Sequence, residues 1–166
     1  CIFNYSKTGM KGFDIFFAAH KVKMKSLGIS LSPPATAEDI AKLEIAVNQK
    51  LPQEIKDYYS YCNGLNNDDW LFNLPSIEQI LYYKSELETS EFYFAEYMIY
   101  SDSWNIKLES EDNFSITNSN HGTGTQLVLT DSIYEFLDRY LNSDGVFSAE
   151  TGLLKWYEEK TKLHYQ

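Results

Sequence analysis

Cysteine is scarce: Cys1 and Cys62 are the only two in 166 residues. Two thiols cannot staple a chain of this length, so a buried core has to hold it. Cys62 reads as a small apolar residue at the end of a helix, and reducing cytosol is the expected compartment. The chain starts with Cys rather than Met, which fits a trimmed or processed start. Long apolar runs are also missing. Nothing approaches the roughly 18 apolar residues of a membrane span. The stretch Ile15-Phe16-Phe17-Ala18-Ala19 is too short for a signal core and has Lys11 and Asp14 beside it.

Positive charge is short as well. Lys and Arg number 14 against 24 Asp and Glu, for a formal charge of −10. A general nucleic-acid binder needs cations to displace phosphate counterions, and an anionic membrane surface needs them too. Both partner classes are excluded. Acidity permits solubility alone, or a basic partner. Histidine is sparse, at 20, 121 and 164, with no second donor at ligand spacing. Zinc needs three or four convergent donors, so neither metal nor cofactor is expected. His20 falls on an apolar face and is expected as a core residue with a satisfied ring nitrogen. His121-Gly122-Thr123-Gly124-Thr125 lacks the following helix and the Lys of a phosphate cradle, and reads as a hairpin connection. No nucleophile-elbow sequence occurs. The many carboxylates cannot be paired for acid–base work without geometry. No catalytic residue is assigned, and the expectation is a protein that is not an enzyme.

What the chain does have is apolar mass. Hydrophobic residues make up 43%, with 13 Tyr and 10 Phe, enough for a core and too much for a disordered chain. Phe13, Phe16, Phe17, His20, Met24 and Leu27 share one helical face, and Gly28 can end that helix in the left-handed conformation. Ser30 to Pro34 reads as a linker, because Pro33 and Pro34 cannot donate to a ladder. Thr36 is placed to cap a helix by accepting from the amide of Asp39, with Ile40, Leu43 and Val47 inward. Pro52 starts the next helix, about Gln53 to Cys62, with Ile55, Tyr58, Tyr59 and Cys62 inward. Asn63-Gly64 ends it, and Gly64 is expected at positive φ. Leu65 to Leu74 reads as a loop, and Ser76 caps a helix carrying Ile77, Ile80 and Leu81.

From Phe92 the pattern changes to short aromatic and β-branched runs: Phe92 to Tyr100, Trp104 to Glu109, Asn113 to Asn118 and Gln126 to Thr130. The turns between them predict antiparallel neighbours. Thr130 or Asp131 is expected to cap a helix over Ser132 to Leu141, and a last helix runs from about Ala149 to Lys162. Helices, then a meander, then helices describe an α+β fold: an antiparallel sheet of about four to six strands packed with N- and C-terminal helices. The organisation expected is a basic helical segment over 1–30 and an α+β domain over 31–166, together one compact unit.

Charge is uneven along this order. Residues 1–30 carry a net +4, and residues 66–119 carry −9. Asp68, Asp69, Glu78, Glu86, Glu88, Glu91, Glu96 and Asp102 form a candidate docking surface for a cationic partner. Trp70 and Trp104 lie near them in sequence and are candidate anchors, since interface anchors are often aromatic and complementary charge speeds encounter.

The stretch ATAEDIAKLEIAVNQKLPQEIKDYYSYCNGL, which starts at Ala35, adds to this reading. Ile40, Leu43 and Glu44, then Leu51-Pro52, Tyr58-Tyr59 and Asn63-Gly64, resemble the signature of the SUKH superfamily, the cell-wall-assembly-regulator-like domains. The helix after Ser76 and the segment Ser132 to Leu141 also look like elements of that family, so the resemblance covers about 35–142. It implies one α+β domain and no catalytic motif. Bacterial members are mostly immunity proteins that bind and block a cognate toxin domain, often a nuclease. Joined with the charge tally and the cytosolic expectation, the resemblance leads to a non-catalytic cytoplasmic immunity protein, occluding a basic toxin through its acidic middle region. A regulatory scaffold module binding a cellular protein is the alternative, and an uncharacterised hydrolase a third. The signature residues Ile40, Leu43, Leu51, Pro52, Tyr58 and Gly64 read as structural.

Overall fold

The computed structural model describes residues 11–68, 71–98, 101–120, 126–143, 146 and 150–164. The first helix, α1 (Lys11–Ser26), buries Phe13, Phe16, Phe17 and Met24. Phe13 stacks on Tyr134 with ring centroids 4.1 Å apart, and Phe17 stacks on Tyr61 at 5.4 Å. Gly28 has φ +64 and closes α1: the Ile29 amide donates to the Met24 carbonyl at 2.9 Å and the Gly28 amide to Lys25 at 3.3 Å. That pair of bonds satisfies carbonyls that a helix end otherwise leaves without partners. His20 is half-buried and both ring nitrogens have partners, the Phe16 carbonyl at 2.8 Å and Asp138 at 2.9 Å.

The segment after α1 is only partly a linker. Ser30–Leu31 forms a short strand, β1, antiparallel to β2 (Leu65–Asn66). The partner lies more than thirty residues away, so no local pattern announces the pairing. Beyond it the chain still bonds to the same neighbour, through Ser32 N to Gly64 O at 3.2 Å and Asn63 N to Pro33 O at 3.1 Å.

Next comes α2 (Ala37–Ala46), whose cap is the expected one. The Thr36 hydroxyl accepts from the Asp39 amide at 3.1 Å, and the Asp39 carboxylate accepts from the Thr36 amide at 3.0 Å. Thus Asp serves as the reciprocal partner that Glu or Gln more often supplies. Leu43 and Leu51 are buried, and Ile40 packs half-buried against them. Pro52 stands at the head of α3 (Gln53–Tyr61), which buries Ile55, Tyr58 and Tyr59. Gly64 has φ +90. The expected loop from Leu65 to Leu74 contains β2 and β3 (Phe72–Asn73), joined by a bridge between Leu65 and Leu74. A two-residue strand carries too little alternation to be read from sequence. Then α4 (Ile77–Tyr83) starts at Ser76 with a complete capping box to Gln79, and a 3-10 turn over Lys84–Glu86 follows.

Four longer strands complete an antiparallel sheet in the order β3-β4-β5-β6-β7: β4 (Glu91–Tyr97), β5 (Asp102–Leu108), β6 (Phe114–Asn120) and β7 (Gln126–Thr130). The fold is therefore α+β, with antiparallel sheets of five and two strands. Register fixes two faces. Phe92, Ile106 and Ile116 stand in one cross-strand row, with Trp104, Asn118 and Leu127 in another on the same face. This face meets the helices: Phe94 and Trp104 contact Phe136, and Tyr58 contacts Phe94. Trp104 is 0% exposed, so it is a core residue and not a surface anchor. A strand opposing a helical layer turns every second side chain inward, and Trp104 falls on that parity.

The opposite face is polar: Glu91, Tyr93 and Glu96 on β4, Ser103, Asn105 and Lys107 on β5, Ser115 and Thr117 on β6, and Gln126 on β7. Two strands separate β4 from β7, about 14 Å in a flat sheet. Yet Gln126 Nε2 reaches Glu91 Oε1 at 3.4 Å. The sheet is thus strongly coiled about its polar face, which explains why Asn105 and Thr117 are buried there.

The closing helices are α5 (Ile133–Leu141) and α6 (Leu153–His164). Ser132, rather than Thr130 or Asp131, is the N-cap residue of α5. The Thr130 hydroxyl instead accepts from the Ser132 amide at 3.2 Å and donates to the Glu135 carboxylate. Ala149, where the last helix is expected to start, lies outside the described residues, as does the 121–125 connection; residues 150–152 form a turn and α6 starts at Leu153.

Candidate functional site

The start of α3 holds two carboxylates three residues apart. Asp57 Oδ1 accepts from Gln53 Nε2 at 2.7 Å, along one face of the helix. Glu54 turns toward α5. Its Oε1 accepts from the Ile133 amide at 2.6 Å and from the Ser132 hydroxyl at 3.1 Å. Glu54 therefore caps a second helix, where a negative group offsets the positive dipole end.

These side chains form one wall of a cleft of about 670 Å³. The β5–β6 turn forms another. There the Ser110 hydroxyl accepts from the amides of Asp112 at 3.4 Å and Asn113 at 3.1 Å, while Glu109 N donates to Asn113 O at 3.0 Å. This holds the turn shut with Glu109 and Asp112 exposed beside the cleft. The end of β7 and the start of α5 add Asp131 and Tyr134, and α6 adds Lys160. Tyr134 is the ring that stacks on Phe13, so this wall is rooted in the core.

The charged lining is Glu54, Asp57, Glu109, Asp112 and Asp131 against Lys160. Two helix N-termini, of α3 and α5, also face the cleft and carry about half a positive charge each. Counting both leaves the cleft about three charges negative. Asp57 is the least usual member. It is 9% exposed, its one side-chain hydrogen bond comes from a neutral amide, and it forms no ion pair among the described residues. The residue Ser115, 4% exposed, is also on the cleft lining, and its buried hydroxyl has no hydrogen-bond partner among the described residues. Buried polar groups of this kind are uncommon, because losing water without a replacement is costly. Among the described residues no three His, Cys, Asp or Glu side chains converge as metal ligands.

Among the described residues, the acids expected to form the docking surface are spread over several places, with Glu86, Glu88 and Glu91 near one another at the start of β4. Asp68 is exposed and lies directly over Gly28 at the end of α1. Glu86 and Glu88 are exposed near the start of β4, where Glu86 accepts from the Tyr93 hydroxyl at 3.4 Å. Glu91 is buried and pairs with Lys107 across the strands, Nζ to Oε1 at 3.5 Å. Glu96 is buried at the far end of the same strand, and Asp102 is half-buried opposite Tyr97. Trp104 is in the core. Asp69 and Trp70 lie outside the described residues. None of the described residues among them lines the cleft. Sequence reading missed the cleft acids. Glu54 and Asp57 share a helix face, a legible signal, but Glu109, Asp112 and Asp131 reach them only through strand pairing.

No helix among the described residues is long and apolar enough to cross a membrane. Compared with known protein families and with curated proteins, the chain matches none.

Proposed function

We propose that this chain is a non-catalytic binding protein that sequesters a cationic protein partner, and that it acts in the cytoplasm as an immunity protein against a toxin domain. The observation that carries this reading is the cleft, with five carboxylates against one lysine. A nuclease must hold phosphate and concentrates cations where substrate sits. Carboxylates fixed on a rigid surface complement that charge, speed encounter and cover the groove. The resemblance of residues 35–142 to SUKH-like immunity proteins points to the same class of partner. The acids this reading uses are Glu109, Asp112 and Asp131 at the cleft rim, with Asp57 beneath; Glu109 and Asp112 lie in the acidic segment 66–119 but are not among the candidate docking residues.

An immunity role implies a toxin gene directly upstream, and co-expression with the toxin domain it encodes tests the reading. Survival is expected with this chain present; continued killing refutes it. Glu109→Gln, Asp112→Asn and Asp131→Asn made together are expected to slow association by about tenfold at low salt and to flatten its salt dependence. A control variant removes three charges elsewhere, through Asp68→Asn, Glu86→Gln and Glu88→Gln. Equal effects from the two variants would remove the cleft from the account.

A further inference from the structure

We infer that the cleft seats an arginine side chain of the partner, with Asp57 as its anchor. This rests on the reading above and names the chemistry of that site. Asp57 is nine-tenths buried at the cleft wall, one oxygen holding the Gln53 amide and the carboxylate without a cation among the described residues. A buried carboxylate without a cation binds a group that offers it several donors at once. A guanidinium does so: it is planar, presents five donors and is more weakly hydrated than an ammonium. A lysine ammonium is a compact, strongly hydrated point and meets a carboxylate without that planar match. The wide volume, about 670 Å³, leaves room for the chain that carries the arginine. Its charge would meet Glu109, Asp112 and Asp131 at the rim, which set the field, while Asp57 sets the position. A metal ion is not the fit, because no three carboxylates converge among the described residues. Lys160 opposes any cation and sets a limit on its approach.

The test uses the full chain and two probes, N-acetyl tetra-arginine amide and N-acetyl tetra-lysine amide, followed by amide NMR shifts. The expected result is saturable binding of the arginine peptide, with shifts confined to residues 53–57, 109–115 and 128–134. The lysine peptide is expected to bind several-fold more weakly. Asp57→Asn should weaken the arginine peptide by about tenfold or more, as expected for loss of a charge-assisted hydrogen bond, and leave the melting temperature unchanged or higher. Lys160→Gln should strengthen it, and this variant keeps the test open if Asp57→Asn does not fold. Shifts scattered over the surface, equal binding of the two peptides, or indifference to Asp57→Asn and Lys160→Gln would overturn the inference. Arginine binding in the cleft with continued toxin killing would sink the immunity reading and leave this inference standing. Rescue from the toxin without arginine in the cleft would do the reverse.

Discussion

Two glycines with positive φ let backbone strain be separated from steric conflict. Gly28 has φ +64, near the left-handed well, and the three atoms nearest a Cβ there all belong to the Asp68 side chain, with Oδ2 at 2.0 Å. Asp68 is exposed and can swing away. Gly28→Ala is therefore expected to cost about 1 kcal/mol, the left-handed penalty alone. Gly64 has φ +90, beyond that well, and its Cβ would sit 2.4 Å from the Leu74 carbonyl oxygen and 3.0 Å from Pro75 backbone atoms. That oxygen accepts from the Leu65 amide at 3.1 Å, in a bridge whose two leucines are buried. Backbone must move, and a buried hydrogen bond worth about 1–3 kcal/mol when left unmade goes with it. Added to the left-handed penalty, Gly64→Ala is expected to cost about 2–5 kcal/mol. For a chain of this size that is a fall in melting temperature of roughly 5–15 °C, against about 2–4 °C for Gly28→Ala. Calorimetry of both variants beside the parent decides it. Equal falls, or a larger one for Gly28→Ala, would refute the assignment of a fixed backbone obstacle at Gly64.

Two further outcomes follow from buried ionisable groups. Burial pushes the Glu44 carboxyl up, but Lys50 Nζ at 2.6 Å and the Leu51 amide at 3.1 Å outweigh it and hold the group below its ordinary value. Its contribution is therefore complete above the ordinary glutamate range and is lost as pH falls through the lower folded value; Glu44→Gln should flatten the acid limb of melting temperature against pH, and an unaltered limb would contradict this. Burial pushes the Cys62 thiol up to about 12, although hydrogen bonds with Tyr58 and Gly64 pull the other way. In a Cys1→Ser background a thiol reagent at pH 8 should label nothing until the protein is unfolded; rapid labelling of the native protein would place Cys62 wrongly.

Most of the helical layer was legible because its signals are local. Thr36 and Ser76 cap where their hydroxyls stand three residues before a free amide, and Gly28 and Gly64 end segments because L side chains avoid their φ values. The four long strands were legible from their residue types. What could not be read were elements defined by a distant partner. β1, β2 and β3 have two residues each and exist only as halves of a pairing. The parity of Trp104 was equally hidden, since alternation shows which residues share a face but not which face meets the helices.

The same limit governs the charge. A tally along the chain puts −9 in residues 66–119, and charge read that way looks like a surface. Strand geometry undoes the inference for particular residues. Glu91 stands directly across from Lys107 and pairs with it, and Glu96 is buried on the coiled polar face. Glu109 and Asp112 belong to the same segment but sit in a turn, where neither parity nor a cross-strand cation engages them. They face Glu54 and Asp57 from a helix more than fifty residues earlier and Asp131 from beyond β7. Field strength at a cleft depends on how many like charges share one low-dielectric wall, not on how many share a stretch of chain. That is why two variants removing equal charge, one at the cleft rim and one at Asp68, Glu86 and Glu88, are expected to differ in association rate. A linear count of charge would make them the same.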